Sequence, residues 1–292
     1  MTGTATHKVI LTTFTDPMMG LSYESEPVFR RLETHFGDSI EFRCCMSLLV
    51  RDVHDFMLPR ELKMSKKEGV EAYCKRLAGI YEDEEAISGM PICMENFRLF
   101  DEEHTTSLPL DLAFKTIELI APDKAEFFLY LLRYATIVDT RPTTHFDEIM
   151  KVVQSIGIDE TEFEEKYRNG EAEEALNIDL SLTRKLNIYS LPAYLLQYGD
   201  RGILINALIG YHDFEKAIFE LTEGKVLPQK PVASEAVIAD FISKRNLICS
   251  VELREAFDIQ DIEILDEILD HLINNGRIKR YPVKNEYFII AV

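Results

Sequence analysis

The pattern of apolar and polar positions predicts a β-α-β unit at the start of the chain. Two apolar runs, Lys8–Thr15 and Ile40–Val50, flank an amphipathic segment from about Ser22 to Phe36. The first run is rich in β-branched residues, which is typical of buried strands, and the segment between the runs has the spacing of a helix. Because a helix connects the two strands, they are expected to pair in parallel.

Helical periodicity then dominates residues 65–187, where apolar stripes recur at intervals of three and four positions. Strand patterns return at Ala193–Gln197 and Gly202–Leu208, and a short helix is predicted at Phe214–Leu221. The order β-α-β, helices, β-β-α resembles a thioredoxin core with a large helical insertion. The predicted class is therefore α/β, with a thioredoxin-fold domain over residues 1–225 and its insertion at about 65–187.

A separate C-terminal module is predicted at residues 229–292. Glu223–Ala233 contains Gly224, Pro228 and Pro231 and has the composition of a linker. Three predicted helices follow, and the last residues alternate as a β-hairpin. Three helices and a terminal hairpin predict a winged-helix-like module.

The net charge of the chain limits the classes of molecule that it is expected to bind. Of 292 residues, 51 are acidic and 32 are Lys or Arg, which gives a net charge of −19. Such a chain repels phosphate backbones and anionic membranes, so nucleic-acid and membrane binding are not expected. The third predicted helix of the C-terminal module is itself acidic, which disfavours insertion into DNA. A peptide or protein partner is expected instead, and a homodimer formed through this module remains open.

The chain shows no signal-peptide pattern and no apolar run of about 20 residues, so a cytoplasmic location is expected. Thiols stay reduced there. The five cysteines show neither Cys-x-x-Cys nor zinc-site spacing and are interpreted as structural thiols. His145, His212 and His271 are scattered, so no metal site is expected.

Several segments resemble the DsbA-like family, in its cytoplasmic branch related to kappa-class glutathione transferases and 2-hydroxychromene-2-carboxylate isomerases. The resemblance covers about residues 8–222, and it depends on four segments: Asp16–Tyr23, Glu26–Leu32, Leu108–Val138 and Asn187–Tyr194. In this family a Cys-x-x-Cys pair opens the first helix, and a cis-proline turn faces it. The resemblance places the two cysteine positions on Met19 and Ser22, and the turn on Leu191–Pro192.

The two replacements argue against redox chemistry. Thiol–disulfide exchange needs a thiolate, and a thioether cannot supply one. Ser22 would need a neighbouring base to become a nucleophile, and the more ordinary role for its hydroxyl is to cap the first helix. Glu24 and Glu26 are interpreted as stabilising the dipole of that helix. His54 is the one histidine considered for proton transfer, although an ion pair within its loop is the simpler interpretation.

Two functions follow from the resemblance. The first is a non-catalytic adaptor that holds an extended peptide in a cleft lined by Met19, Gly20, Leu21, Ser22, Leu191 and Pro192, without a cofactor. The backbone of Leu191 would pair with the peptide by strand addition. This architecture is similar to that of YjbH-type adaptors, which hand a regulator to a protease. The alternative is an enzyme, such as a glutathione-linked isomerase or transferase, that uses Ser22 or a bound thiol, with glutathione as its ligand.

Overall fold

The computed structural model describes residues 8–292. Residues 1–7, on which the expectation of no signal peptide partly depends, lie outside the described range. Within that range no helix combines the length and apolar character needed to span a membrane.

The secondary structure follows the predicted order. The strands are β1 Val9–Thr15, β2 Ile40–Met46, β3 Ala193–Tyr198, β4 Arg201–Ile205, β5 Leu247–Cys249, β6 Ile278–Val283 and β7 Glu286–Ala291. The first helices are α1 Gly20–Tyr23, α2 Glu26–Phe36, α3 Lys66–Glu84, α4 Leu108–Ile120, α5 Ala125–Ile137 and α6 Phe146–Ser155. The others are α7 Glu160–Arg168, α8 Glu171–Lys185, α9 Tyr211–Thr222, α10 Glu235–Ser243, α11 Ser250–Ala256 and α12 Ile262–Asn274.

The larger sheet has the strand order β2-β1-β3-β4. Strands β1 and β2 are parallel, with Val9 opposite Ile40, and this confirms the predicted crossover. Strands β1 and β3 are antiparallel, with Phe14 opposite Ala193. The residues after β1 and those before β3 therefore lie at the same end of the sheet, which brings the predicted motif and the Leu191–Pro192 turn to one place.

Apolar side chains cover both faces of this sheet. On one face, Phe29 and Leu32 of α2 and Phe214 of α9 pack with Leu11 and Tyr194 in one core cluster. Helices α3 to α7 share a second and larger core. Cys44 and Cys45, adjacent in β2, belong to different clusters, as alternation along a strand predicts.

The helical insertion is less continuous than its periodicity predicts. Residues 85–107, between α3 and α4, form neither a helix nor a strand apart from turns, yet Met90, Ile92 and Leu99 in this segment are fully buried. The buried apolar residues of this segment led to the prediction of a helix. They are buried by contacts with distant parts of the chain, not by the face of a helix. The segment passes beside the end of α1, so it contributes to the candidate site.

The C-terminal elements form a second sheet of order β5-β7-β6 against α10, α11 and α12. The hairpin of β6 and β7 is as predicted, and β5 was not predicted from the sequence. The winged-helix-like description and the boundary at residues 225–229 stay predictions.

The short helix α11 packs along α2 of the thioredoxin core, with polar contacts on both sides. Arg31 forms ion pairs with Glu255 at 3.1 Å and with Asp258 at 2.7 Å. Thr34 Oγ1 donates to the Ala256 carbonyl at 2.5 Å. In the linker, the Gln229 N–H donates to the His35 carbonyl at 2.7 Å, so the linker also follows the end of α2.

A buried group of charges, which we call the Arg30 cluster, lies beneath this contact. It consists of Arg30, Glu26, Tyr130, Arg133 and Glu252. Glu26 accepts from Arg133 at 2.6 Å and from Arg30 at 3.2 Å, while Tyr130 donates to Glu252 at 2.5 Å. Arg30 Nε lies 3.7 Å from Glu252. Glu252 belongs to α11, so the C-terminal part inserts a carboxylate into the charge network of the core.

Candidate functional site

The motif of interest is the turn from Asp16 to Ser22, and a buried carboxylate fixes its shape. Asp16 accepts from the N–H groups of Met18 at 3.0 Å and Leu49 at 2.7 Å, and from the Ser107 hydroxyl at 2.6 Å. Burial raises the pKa of Asp16, and these hydrogen bonds oppose the rise. The carboxylate thus ties the motif to the loop after β2 and to the start of α4.

Helix α3 covers the first turn of α1. The Tyr81 hydroxyl donates to the Met18 carbonyl. A Cβ added to Gly20 would lie 2.5 Å from Tyr81 Cδ1 and closer still to the Glu84 carboxylate. Only glycine fits there, because α3 side chains occupy the space over the helix N-terminus. Met19, at the position of the attacking cysteine, is accordingly only 5% exposed.

Ser22 is enclosed within a hydrogen-bonded chain of polar groups. It is 1% exposed, and its Oγ accepts from Thr15 Oγ1 at 2.7 Å. Thr15 Oγ1 in turn accepts from Arg133 at 2.9 Å. A serine becomes a nucleophile when an adjacent base takes its proton, and a threonine that accepts from a guanidinium is no base. The geometry of Ser22 is that of a structural hydroxyl.

The capping role predicted for Ser22 is wrong. The N-cap of α1 is Met19 and the N-cap of α2 is Ser25, and neither side chain makes a capping hydrogen bond. Ser25 Oγ donates instead to the Leu21 carbonyl at 2.8 Å. Pro27 lies in the first turn of α2, so the predicted single helix is divided into α1 and α2.

The dipole interpretation of the two glutamates also needs correction. Glu26 does lie in the first turn of α2, but it is buried and paired with two arginines. Glu24 follows α1, where its carboxylate accepts from the N–H of Ser88 at 3.0 Å and from its hydroxyl at 2.5 Å. Burial raises the pKa of Glu24 to about 8, although the bonds from Ser88 oppose the rise. Burial also raises the pKa of Glu84 to about 7.

The stability contribution of Glu24 is therefore expected to fall as the pH rises from about 4.5 to about 8. A carboxyl whose folded-state pKa lies above its unfolded value keeps its proton when folded, so its contribution is lost as pH rises through the folded pKa. For Glu24 that window extends from about 4.5 to about 8. The replacement Glu24→Gln should flatten this pH dependence, as measured by urea unfolding at several pH values. The same replacement at exposed Glu41 is the control, and an unchanged slope in Glu24→Gln would contradict the assignment.

The turn before β3 completes the site. The Leu191–Pro192 peptide bond is cis. Pro192 is buried, Leu191 is half-buried, and Tyr189 is 89% exposed. Of the six cleft residues predicted, Leu21 and Leu191 are the two that retain partial exposure.

His54 and the cysteines show no arrangement for catalysis. His54 Nδ1 lies 2.5 Å from Asp52 in a partly exposed loop, which is the ion pair expected of it. All five cysteines are free thiols. Burial raises the pKa of Cys44 to about 12, and burial also raises the pKa of Cys45 and Cys249. These thiols are protonated and unreactive at neutral pH.

Tyr81, Glu84 and Arg133 determine how closed the motif is, and no sequence pattern indicated them. Each lies far along the chain from the motif, within helix α3 or α5 of the insertion. Their positions depend on tertiary packing, and a single sequence carries no signal for it.

The family model described as thioredoxin matches residues 12–215 of the chain. Sheet order, motif position and this match agree, and the protein belongs to the DsbA-like thioredoxin-fold family.

Individual relatives are more specific. The ClpXP adapter protein SpxH of Halalkalibacterium halodurans is 23% identical over 275 residues, which cover 93% of this chain and 85% of that protein. The SpxH of Staphylococcus aureus is 26% identical over 59% of this chain and 65% of its own length, so in this match the chain spans less than two thirds of the relative. A protein disulfide isomerase-like structure from Nitrosomonas europaea aligns with a TM-score of 0.62 at 15% identity, over 75% of this chain and 99% of that one. The structural likeness shows the fold alone.

Proposed function

We propose that this protein is a non-catalytic adaptor that binds a protein partner and delivers it to the ClpXP protease. The observation that carries the proposal is the match to the H. halodurans ClpXP adapter over 93% of the chain, which includes the C-terminal elements as well as the thioredoxin core. Similarity to the adapter over both the thioredoxin core and the C-terminal elements suggests that both parts serve the same role in the two proteins.

The closed motif supports a binding role over a catalytic one. A redox enzyme of this fold needs a thiolate at an accessible helix N-terminus, and here that position holds the buried Met19, next to Gly20, which packs beneath Tyr81 and Glu84. The alternative, a glutathione-linked enzyme acting through Ser22, lacks support because the Ser22 hydroxyl is enclosed beside Thr15. Free thiols throughout are consistent with the reducing cytoplasm in which we place the protein.

We place the partner on the segment before β3. Strand β3 has β1 on one side and β4 on the other, so a peptide cannot add along its length. The backbone of Leu191 precedes this paired region, and the neighbouring Tyr189 presents an exposed ring. Exposed tyrosines are frequent anchors of protein interfaces because they bury a large area at low entropic cost.

The acidic surface favours a partner with a basic segment and disfavours DNA. Arg280, one of the few basic residues of the terminal hairpin, already pairs with Asp266 and Asp270 of α12 at 3.2 Å each. The net charge of −19 would in addition accelerate association with a cationic chain at low ionic strength.

The adaptor role can be tested in cells and then with purified components. Deleting the gene should lengthen the half-life of at least one protein after translation is stopped, as measured by quantitative mass spectrometry. The stabilised protein should be degraded faster by purified ClpXP when this chain is added. No change in any half-life, or an effect that persists without ClpX, would refute the proposal.

Tyr189→Ala is expected to weaken binding of that client by about tenfold, since a buried interface tyrosine contributes on the order of 1–2 kcal/mol. Tyr281→Ala, which removes a second exposed tyrosine in the terminal hairpin, is the matched control and should bind as wild type. Fluorescence anisotropy with labelled client measures both. Equal affinities of the two variants would place the client elsewhere.

A further inference from the structure

A second group of polar side chains lies away from the motif, at the connection between α3 and α4. Asp101 and His104 belong to this connection, and His145 directly precedes α6. The Asp101 carboxylate lies 2.9 and 3.1 Å from His104 Nδ1 and 2.8 Å from His145 Nε2. The two imidazole rings stack with centroids 3.7 Å apart. One ligand atom from each residue falls within 4.8 Å of the others.

The two oxygens of Asp101 have different roles. Oδ1 accepts from the N–H groups of Glu103 at 2.8 Å and His104 at 2.9 Å, which fixes the carboxylate on its own turn. Oδ2 faces both imidazoles, and Oδ1 also lies 2.9 Å from His104 Nδ1. The group therefore presents a carboxylate and two imidazole nitrogens to one point.

The separations between the Asp101 carboxylate and the two imidazole nitrogens are close to those around a small divalent ion. A tetrahedral ion with ligands at about 2.0–2.1 Å separates its ligand atoms by about 3.3 Å. The observed separations of 2.8–3.1 Å from the carboxylate to the nitrogens need to widen by only a few tenths of an ångström. Two imidazoles and a carboxylate suit zinc, cobalt or ferrous iron, whereas magnesium and calcium prefer oxygen ligands.

We propose that Asp101, His104 and His145 form a binding site for a divalent cation of the zinc type. Their side chains are 46%, 33% and 30% exposed, so the remaining coordination position is open to water or to a ligand. Asp101 and His145 also line a pocket of about 520 Å³ with Cys74, Met94 and Phe97. A bound ion would join the α3–α4 connection to the start of α6 and present its open position near this pocket.

Calorimetric titration of the full-length, chelator-stripped protein with Zn²⁺ tests the proposal. One equivalent should bind, and His104→Ala and His145→Ala should each weaken binding on the order of a hundredfold, because each removes one of three protein ligands. His212→Ala and His271→Ala are matched controls. Each of those exposed histidines also lies beside one glutamate, at 3.3 and 3.4 Å, but residues 8–292 place no third ligand there, so neither change should alter the affinity.

Substitution with Co²⁺ separates this site from the thiols. A site of two imidazoles and one carboxylate gives visible ligand-field bands without the thiolate-to-cobalt charge-transfer band. If His145→Ala fails to fold, as judged by circular dichroism, His145→Asn serves in its place. Absence of saturable binding, or binding that persists in both histidine variants, would show that the three residues form only a hydrogen-bonded cluster.

Discussion

Replacing Arg30 with methionine is expected to lower the free energy of unfolding by about 3–5 kcal/mol, the usual cost of leaving a buried charge without its partner. Arg30 is buried and neutralises Glu26 and Glu252, which stay buried in the variant. Burial raises the pKa of Glu252 to about 7 and Arg30 opposes this rise, so the variant should raise that pKa further. The loss in free energy of unfolding should therefore be larger at pH 8 than at pH 6. A carboxyl group whose pKa is raised in the folded state stabilises the protein less as the pH increases.

Chemical unfolding at the two pH values measures this effect. Arg43→Met is the control, because Arg43 is exposed on β2 and pairs only with exposed Glu41, so its loss should cost about 0.5 kcal/mol or less. Similar losses in the two variants would show that the Arg30 cluster does not hold the C-terminal part on the core.

Introducing cysteines at positions 19 and 22 should not produce efficient thiol–disulfide exchange. The double variant Met19→Cys, Ser22→Cys is expected to reduce insulin on the order of a hundredfold more slowly than active thioredoxin-fold enzymes, whose attacking thiol has a pKa near 7. An ordinary thiol, with a pKa near 8.5, is only about 3% ionised at pH 7. Burial at residue 19 disfavours the thiolate further, as does the Glu84 carboxyl group that lies over the neighbouring Gly20.

The pH dependence of alkylation of the introduced thiol measures its pKa directly. Adding Glu84→Ala, which removes part of the cover over Gly20, should lower that pKa and raise the rate, whereas Glu82→Ala on the exposed side of α3 should do neither. Insulin reduction by the double variant at the rate of an active enzyme would refute the view that α3 closes the motif.

Local sequence patterns were sufficient to predict the core of the fold. The two strands flanking α2, the helical insertion and the terminal hairpin follow from period and from turn residues, and they confirm the expected order. Strand β5 was missed because three residues, Leu247–Cys249, are too few to show alternation. The irregular segment 85–107 was assigned to the helical block because its apolar residues are buried by distant partners, among them Tyr23, whose hydroxyl donates to the Pro91 carbonyl at 3.0 Å.

The candidate site residues could be named from the sequence, but their exposure could not. The resemblance to the DsbA-like family located Met19, Ser22 and Leu191–Pro192. It could not find the cover formed by Tyr81 and Glu84, nor the pairing of His104 with His145, because both depend on contacts between residues far apart in the chain. No periodicity encodes such contacts.

The contact between α11 and α2 limits movement of the C-terminal part relative to the thioredoxin core. Because ion pairs, a buried carboxylate and a hydrogen bond from the Thr34 hydroxyl to a backbone carbonyl all cross this contact, the C-terminal part is expected to stay fixed against the core. The thioredoxin core and the C-terminal part would hold a client and a protease at a fixed distance and angle. The length of the linker would then matter little, since the helix pair alone determines the geometry of delivery.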